Sequence, residues 1–303
     1  MGKQTAIAWT DHTFNPWWGC EKVSPGCTNC YAEAFAKRTG KATWGATSER
    51  RFFGEKHWRE PLAWNEAARK AGERRRVFCA SMADVFEARD DLVPHRRRLF
   101  DLIGATPHLD WQVLTKRPEN VVGMMREIGL AIPPNVWLGT SVEDQARADE
   151  RIPRLLAVGA RLAFLSCEPL LGQVDLVLQT SGGLPVNKHG IDWVIGGGES
   201  GPRSRPCDVA WLRSLRDQCK DAGVPFFCKQ LGGKPVLERI ERPREVVRTS
   251  TGRIAKPLRW IEGEIRCLKL SDAKGADPSE WPEDLRVQEF PIRAALARAG
   301  GEK

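Results

Sequence analysis

The sequence predicts an α/β fold: a full or partial parallel (β/α) barrel over residues 1–235, followed by a C-terminal appendage over residues 236–303. Two observations carry this reading. Six short apolar runs rich in β-forming residues recur with mid-points about 25 to 35 residues apart, the length of a strand, a helix and two turns. Polar residues follow nearly every run, as expected where strand ends open together onto one barrel face.

A further strand is expected at Ala6 to Thr13, just ahead of a group of cysteines. The six runs then follow as Arg76 to Ser81, Trp111 to Thr115, Val136 to Thr140, Arg161 to Ser166, Trp193 to Gly197 and Pro225 to Lys229. Between them lie amphipathic stretches such as Asp208 to Ala222, which predict crossover helices. The trailing polar groups are Ser81 and Asp84, Thr115-Lys116-Arg117, Thr140-Ser141, Glu168, Gly198-Glu199 and Lys229-Gln230. A doubly wound open sheet is the alternative, because strand order is not written in such a pattern. Beyond about residue 235 the rhythm stops, and Arg239 to Lys303 is rich in charge and proline, with an ordered turn expected at Asp277 to Pro282.

A chain of 303 residues with 41% hydrophobic and 28% charged side chains is that of a soluble globular protein. No stretch approaches the roughly 18 apolar residues of a membrane span, and no apolar leader follows Met1, so a cytoplasmic location is expected. Nine cysteines, six of them scattered, argue for reduced thiols rather than a disulfide framework. A net charge of +8 suits a protein that meets a polyanion, although solvated basic helix faces such as Arg74-Arg75-Arg76 and Arg96-Arg97-Arg98 account for it as well.

The densest chemistry is Cys20-x6-Cys27-x2-Cys30, three soft thiolate donors in one loop whose Gly19, Pro25 and Gly26 allow tight turns. A zinc site would need a fourth ligand, for which His12 is nearest. A [4Fe-4S] cluster leaves one iron open for a substrate or cofactor. The absence of a fourth cysteine from the loop favours iron.

Several motifs together resemble a known family. They are the Cys-x6-Cys-x2-Cys loop running into Tyr31-Ala32, Leu114 to Pro118, Leu138 to Glu143, Ser166-Cys167-Glu168-Pro169-Leu170, Gly196 to Gly201, Phe226 to Gln230 and Asp284 to Val287. This set resembles the phage and bacterial three-cysteine-motif family, itself similar to radical SAM enzymes and, more distantly, to spore photoproduct lyases. The resemblance implies a partial barrel of the radical SAM type, a [4Fe-4S] cluster on Cys20, Cys27 and Cys30, and S-adenosylmethionine as cofactor. It also implies an electron donor and a three-cysteine-motif partner protein. The first cysteine gap is six here rather than the three usual in radical SAM enzymes, and Asn29 stands where an aromatic normally precedes the last cysteine. Tyr31 is the candidate replacement for that aromatic in contacting adenine.

Candidates for the cofactor's zwitterion and ribose are Ser81, Thr140, Ser141 and Glu168, with the Gly197-Gly198-Glu199 turn for its amino group. Lys116, Arg117, Arg203, Arg205 and Lys229 are candidate phosphate contacts, and Lys116 has Glu143 and Glu168 as alternative ion-pair partners. Twelve tryptophans against one tyrosine make Trp17-Trp18 a candidate for base stacking, with core packing the competing explanation. Cys79 is the candidate hydrogen donor, on the expectation that strand alternation points it into the barrel with Ser81; an apolar-packed core thiol is the alternative.

Three functions follow from these residues. The first is an iron-sulfur radical SAM-like enzyme, a lyase acting on nucleic acid in the manner of DNA photoproduct repair. The second is a zinc-stabilised, non-catalytic protein that binds nucleic acid or a partner. The third is a radical enzyme modifying a protein or small molecule.

Overall fold

The computed structural model describes residue 5 and residues 7–40, 42–176, 190–240 and 264–291. Its elements run β1 (His12–Thr13), β2 (Trp17–Trp18), α1 (Tyr31–Arg38), β3 (Arg51–Phe52), α2 (Glu55–Trp58), α3 (Glu60–Ala71) and β4 (Arg75–Cys79). They continue with α4 (Val93–Gly104), β5 (Leu109–Thr115), α5 (Val121–Glu127), β6 (Val136–Ser141), α6 (Gln145–Ala157), β7 (Leu162–Cys167) and β8 (Ile191–Gly197). The last are β9 (Cys207–Asp208), α7 (Val209–Ala222), β10 (Phe226–Gln230), β11 (Pro235–Ile240) and β12 (Glu264–Cys267).

Seven strands form one sheet in the order β1-β4-β5-β6-β7-β8-β10, and every pairing is parallel. The order never reverses, which removes the doubly wound alternative, whose hallmark is a switch point. The sheet curls into a half-barrel, and among the described residues β1 and β10 remain unpaired with each other. The expected first strand shrinks to His12–Thr13 at the edge; Ala6, where that expectation began, lies outside the described residues.

Both faces of the sheet are covered, as parallel strands require. Every residue of β6 and β7 is buried. Val77, Cys79, Val113, Leu138, Leu165 and Cys167 face the helices, packing with Leu99, Ile103, Ile152 and Leu212. Their neighbours Phe78, Trp137, Phe164, Trp193 and Phe227 point to the concave side, where Trp9 of the N-terminal segment fills the floor with its ring centroid 4.6 Å from Phe78. Gly139 stands on this concave face because a Cβ there would lie 2.3 Å from the Phe164 ring.

The segment beyond residue 235 does not stand apart from this core. β11 pairs with β9 and β12 in a second, three-stranded sheet, while Trp281 and Leu285 are buried in the main core. Residues 284–289 then run as a strap past α7 and along β10. Cys228 N donates to Val287 O at 2.8 Å, Glu289 N to Phe226 O at 3.0 Å, and Trp193 Nε1 to Glu289 O at 2.9 Å. The strap thereby occupies hydrogen-bonding groups that an edge strand would leave exposed. Residues 241–263 and 292–303 of the expected appendage lie outside the described residues.

Two outcomes are expected. Gly139→Ala overpacks the concave face and should cost about 1–3 kcal/mol in urea unfolding. The strap is also tied to α7 through Asp284, which pairs with Arg213 and Arg216. The Arg213 hydrogen bond holds the Asp284 carboxyl down to about 2, with Arg216 assisting against partial burial. A lowered folded pKa adds stability that is present above the unfolded value of about 3.9 and lost as pH falls toward the folded value. Asp284→Asn should therefore unfold at a lower temperature than the wild type near pH 5. The difference, kept small by solvent screening, should vanish near about pH 2.

Candidate metal centre at the sheet mouth

The loop carrying Cys20, Cys27 and Cys30 crosses the C-terminal end of the sheet. Gly19 N donates to Met82 O at 3.0 Å, pinning the loop's start beside the turn after β4. Gly19 has φ +120°, and a Cβ there would lie 2.3 Å from Thr43 O, so this position admits only glycine. A 3-10 turn at Pro25–Cys27 bends the chain back, and Cys30 precedes the first residue of α1. All three thiols are free and half-buried, whereas Cys79, Cys167, Cys207, Cys219 and Cys228 are buried in the core.

Three buried carboxylates fix this loop, one from each of three sheet-end turns. Glu143, after β6, is 0% exposed; its Oε2 accepts from Arg151 Nη1 at 2.9 Å. Its Oε1 accepts from the Ser24 hydroxyl and from Gly26 N at 3.3 Å. A Cβ on Gly26 would sit 2.8 Å from that same oxygen, so the close approach depends on glycine. Glu199, after β8, receives Arg205 through both of its oxygens, at 2.6 and 2.9 Å, and Asn29 Nδ2 at 3.0 Å. Arg205 also donates to Pro25 O at 2.9 Å. Burial acts to raise the Glu199 pKa, but the Arg205 and Asn29 hydrogen bonds hold it below the usual carboxylate range. Asp84, after β4, pairs with Arg117 at 3.0 Å, and Arg117 Nη2 donates to Glu21 O at 2.9 Å.

The electrostatics differ from thiol to thiol. Burial pushes the Cys20 thiol up to about 12, with Asp84 adding to the shift and Arg117 opposing it. Burial also raises Cys30, while the backbone N–H groups of Glu33 and Ala32 at the start of α1, and Lys116, work in the other direction. Among the described residues no three Cys, His, Asp or Glu side chains are drawn into a single-ion site. A zinc tetrahedron would need its sulfurs about 3.8 Å apart. His12, the expected fourth ligand, instead stacks on Trp64 with centroids 4.5 Å apart. A [4Fe-4S] cluster with one open iron takes three cysteine thiolates and no fourth protein ligand. Three reduced thiols on one anchored loop, with N–H donors close by, fit that donor set.

The other expected site residues separate into two groups. Lys116, Ser141, Glu168 and Lys229 gather on the concave side of the mouth, with Lys116 Nζ 2.9 Å from Ser141 Oγ and Lys229 Nζ 2.7 and 2.8 Å from the Glu168 oxygens. Neither anticipated partner of Lys116 is available, since Glu143 pairs with Arg151 and Glu168 with Lys229. Tyr31 is exposed and donates to Ser81 O at 2.8 Å, while Ser81 Oγ accepts from Asn15 Nδ2 at 3.1 Å. Arg203 is exposed, and its carbonyl accepts from Asn29 at 2.9 Å.

The second group serves the scaffold. Thr140 is buried, faces the helices and donates to Thr115 O at 3.0 Å. Arg117 and Arg205, expected on phosphates, hold the cysteine loop instead. Gly198 is packed so tightly that a Cβ would lie 2.2 Å from Leu231 O, and Gly197 abuts Gln230. These glycines let two chain segments meet, which removes the ligand-turn reading for their backbone. Cys79 lies on the helix side with Val77, not inside the barrel, and burial raises its pKa. Ser81 lies beyond the end of β4, so strand alternation does not link its direction to that of Cys79. Trp17 and Trp18 are buried, the latter beneath the Arg51 guanidinium at 4.6 Å, so neither is open for base stacking.

Glu143, Asn29 and Arg151 carry functions that the sequence did not signal by type. Each of the three buried carboxylates nevertheless falls within a few residues of a strand end, and that was the available signal.

Fold and site together define a half-barrel α/β protein with a three-cysteine loop seated on its strand ends. The chain belongs to the family described as "Protein of unknown function (DUF5131)", whose model matches residues 4–272. No curated protein shows significant sequence similarity to it. Among solved structures it is similar to a single-substitution variant of spore photoproduct lyase, with TM-score 0.41 and 11% identity over 73% of this chain and 63% of that one. A second variant, with dinucleoside spore photoproduct, gives TM-score 0.40 and 12% identity over 77% and 64%. The chain thus spans just under two thirds of the length of either protein.

The buried Glu143–Arg151 pair generates a direct test. Glu143→Gln leaves Arg151 without its counter-charge and should cost about 3–5 kcal/mol in denaturant unfolding. Gly26→Ala should leave the core intact while accelerating amide hydrogen exchange in residues 24–30. Unchanged exchange there would mean that Glu143 does not hold the loop.

Proposed function

We propose that this chain is an iron-sulfur enzyme of the radical SAM type that acts on nucleic acid, as a lyase of the photoproduct-repair kind. The observation that carries the reading is the loop of three half-open thiols, clamped by buried carboxylates over a polar concave mouth. Cys20, Cys27 and Cys30 would hold a [4Fe-4S] cluster. The cluster and S-adenosylmethionine, when bound, supply one-electron radical chemistry that no side chain provides.

The chain's own residues would bind, orient and shield. Glu168 and Lys229 offer a carboxylate and an ammonium side by side, and Lys116 with Ser141 offers a second cation and a hydroxyl. Together they suit the paired charges of an amino-acid moiety such as that of S-adenosylmethionine. Tyr31, exposed just after Cys30, would cover adenine. Beneath them the aromatic floor of Trp9, Phe78, Trp137, Phe164 and Trp193 excludes water from the concave face. For a nucleic-acid backbone, Arg203 and Lys116 are the cations at the mouth that make no ion pair among the described residues. The reading places the protein in the cytoplasm, with a one-electron donor and a three-cysteine-motif protein as partners. No helix among the described residues is long and apolar enough to cross a membrane.

Anaerobic purification should yield brown protein carrying about four irons per chain. Cys20→Ala, Cys27→Ala or Cys30→Ala should each remove most of that iron, and Cys79→Ala should leave it in place. Reduced protein should convert S-adenosylmethionine to 5′-deoxyadenosine. Colourless protein with one zinc per chain, or iron that survives all three loop substitutions, would defeat the proposal.

A further inference from the structure

We infer that Arg117 is a positioning residue for the proposed cluster, fixing the Cys20 sulfur and raising the cluster's reduction potential. The inference rests on reading Cys20, Cys27 and Cys30 as iron ligands. Arg117 is 6% exposed. Its Nη1 is shared between Asp84 Oδ2 at 3.0 Å and Cys20 Sγ at 3.7 Å, while Nη2 donates to Glu21 O at 2.9 Å. One guanidinium therefore grips both the first cysteine and the peptide that follows it.

What aims the guanidinium is the fixation of its counter-ion. Asp84 Oδ1 accepts from Thr115 Oγ1 at 2.7 Å and from Phe86 N at 3.0 Å. Oδ2 accepts from Lys116 N at 2.9 Å as well as from Arg117. The carboxylate thus has donors from two chain segments and cannot turn without breaking them. The Arg117 backbone is held in the same way, its N–H donating to Thr115 Oγ1 at 2.9 Å. An arginine fork fixed along its length presents an N–H to sulfur at little further entropic cost.

The electronic consequence follows from charge. Reduction adds one electron to a cluster, so a cation and an N–H donor at a ligating sulfur stabilise the reduced form and raise the potential. An anion at the same site acts with the opposite sign. Arg117 Nη1 contacts both the sulfur and the Asp84 carboxylate, which carries the opposite charge, so removing either should move the potential in contrary directions.

Wild type, Arg117→Lys, Arg117→Met and Asp84→Asn are reconstituted with iron and sulfide and titrated with dithionite, one electron passing to each cluster, while the reduced-cluster EPR signal is followed. Arg117→Met should titrate at a more negative potential than wild type, Arg117→Lys between the two, and Asp84→Asn at a more positive potential. Equal potentials among iron-replete variants overturn this inference alone, as does a shift of the same sign in Arg117→Met and Asp84→Asn. If Arg117→Met fails to fold, the opposite signs are read from Arg117→Lys and Asp84→Asn. Wild-type protein that takes up no iron overturns both this inference and the function it rests on.

Discussion

A carboxylate buried away from solvent must find partners, and in this protein two such carboxylates find part of theirs in the cysteine loop while a third holds the loop through its arginine. Asp84, Glu143 and Glu199 are each 6% exposed or less, and each meets an arginine: Arg117, Arg151 and Arg205. An arginine alone leaves acceptor sites over, and a buried charge with unmet acceptors costs several kcal/mol. The loop supplies Ser24, Gly26 and Asn29, and the arginines reach on to Pro25 O and Glu21 O. The loop has no regular structure of its own beyond one 3-10 turn, so its shape is set by these outside charges. Loosening any one of them alters where the thiols stand.

The sheet's two faces divide the remaining work. On the helix side, branched and small residues interlock with α4, α6 and α7 to give the stability of an ordinary core. On the concave side, large aromatics fill the half-barrel from below together with the buried Gln112, whose Nε2 donates to Trp9 O at 3.3 Å, and a polar group gathers at the ends of the strands. Strand alternation produces this arrangement within β10, where Phe227 and Lys229 share a face and Cys228 turns to the helices, while Lys116, just past β5, reaches Ser141 on the concave side. A parallel sheet of one winding direction brings all such ends to the same rim. The mouth is therefore polar over an apolar floor, which is the contrast a site needs to orient a charged ligand away from water.

Much of this was readable from residue pattern, and the boundary of what was readable has a physical cause. The strand over Trp111 to Thr115 and the helix following Asp208 were recoverable because hydrophobic period and capping are local properties. The short β9–β11–β12 sheet was not, because two-residue strands such as Cys207–Asp208 carry no period and are made by tertiary pairing. At the site, the cysteines were legible by spacing and chemistry. The functions of Arg117 and Arg205 were not, because a basic residue at a strand end looks the same in sequence whether it faces a phosphate or a buried Asp. Cys79 went astray through one step of local geometry: the strand ended before Ser81, and alternation counted across that end gave the wrong face.

Reassigning those arginines changes the electrostatic argument for nucleic acid. The net charge of +8 is not concentrated at the mouth, where Arg117 and Arg205 are paired with Asp84 and Glu199, and Lys229 with Glu168. A cation already paired gains little from a phosphate, since it must give up one partner to take another. At the mouth this leaves Lys116, whose ammonium among the described residues donates to the Ser141 hydroxyl, and the exposed Arg203. Two such contacts give a shallow dependence of binding on salt, since each neutralised phosphate contributes about one power of salt concentration. Under the function proposed above, backbone charges at this rim would set a substrate's register and supply little of its affinity. If the proposed function holds, a rim of this charge suits a single nucleotide presented to the mouth better than a long duplex tracked along a basic groove.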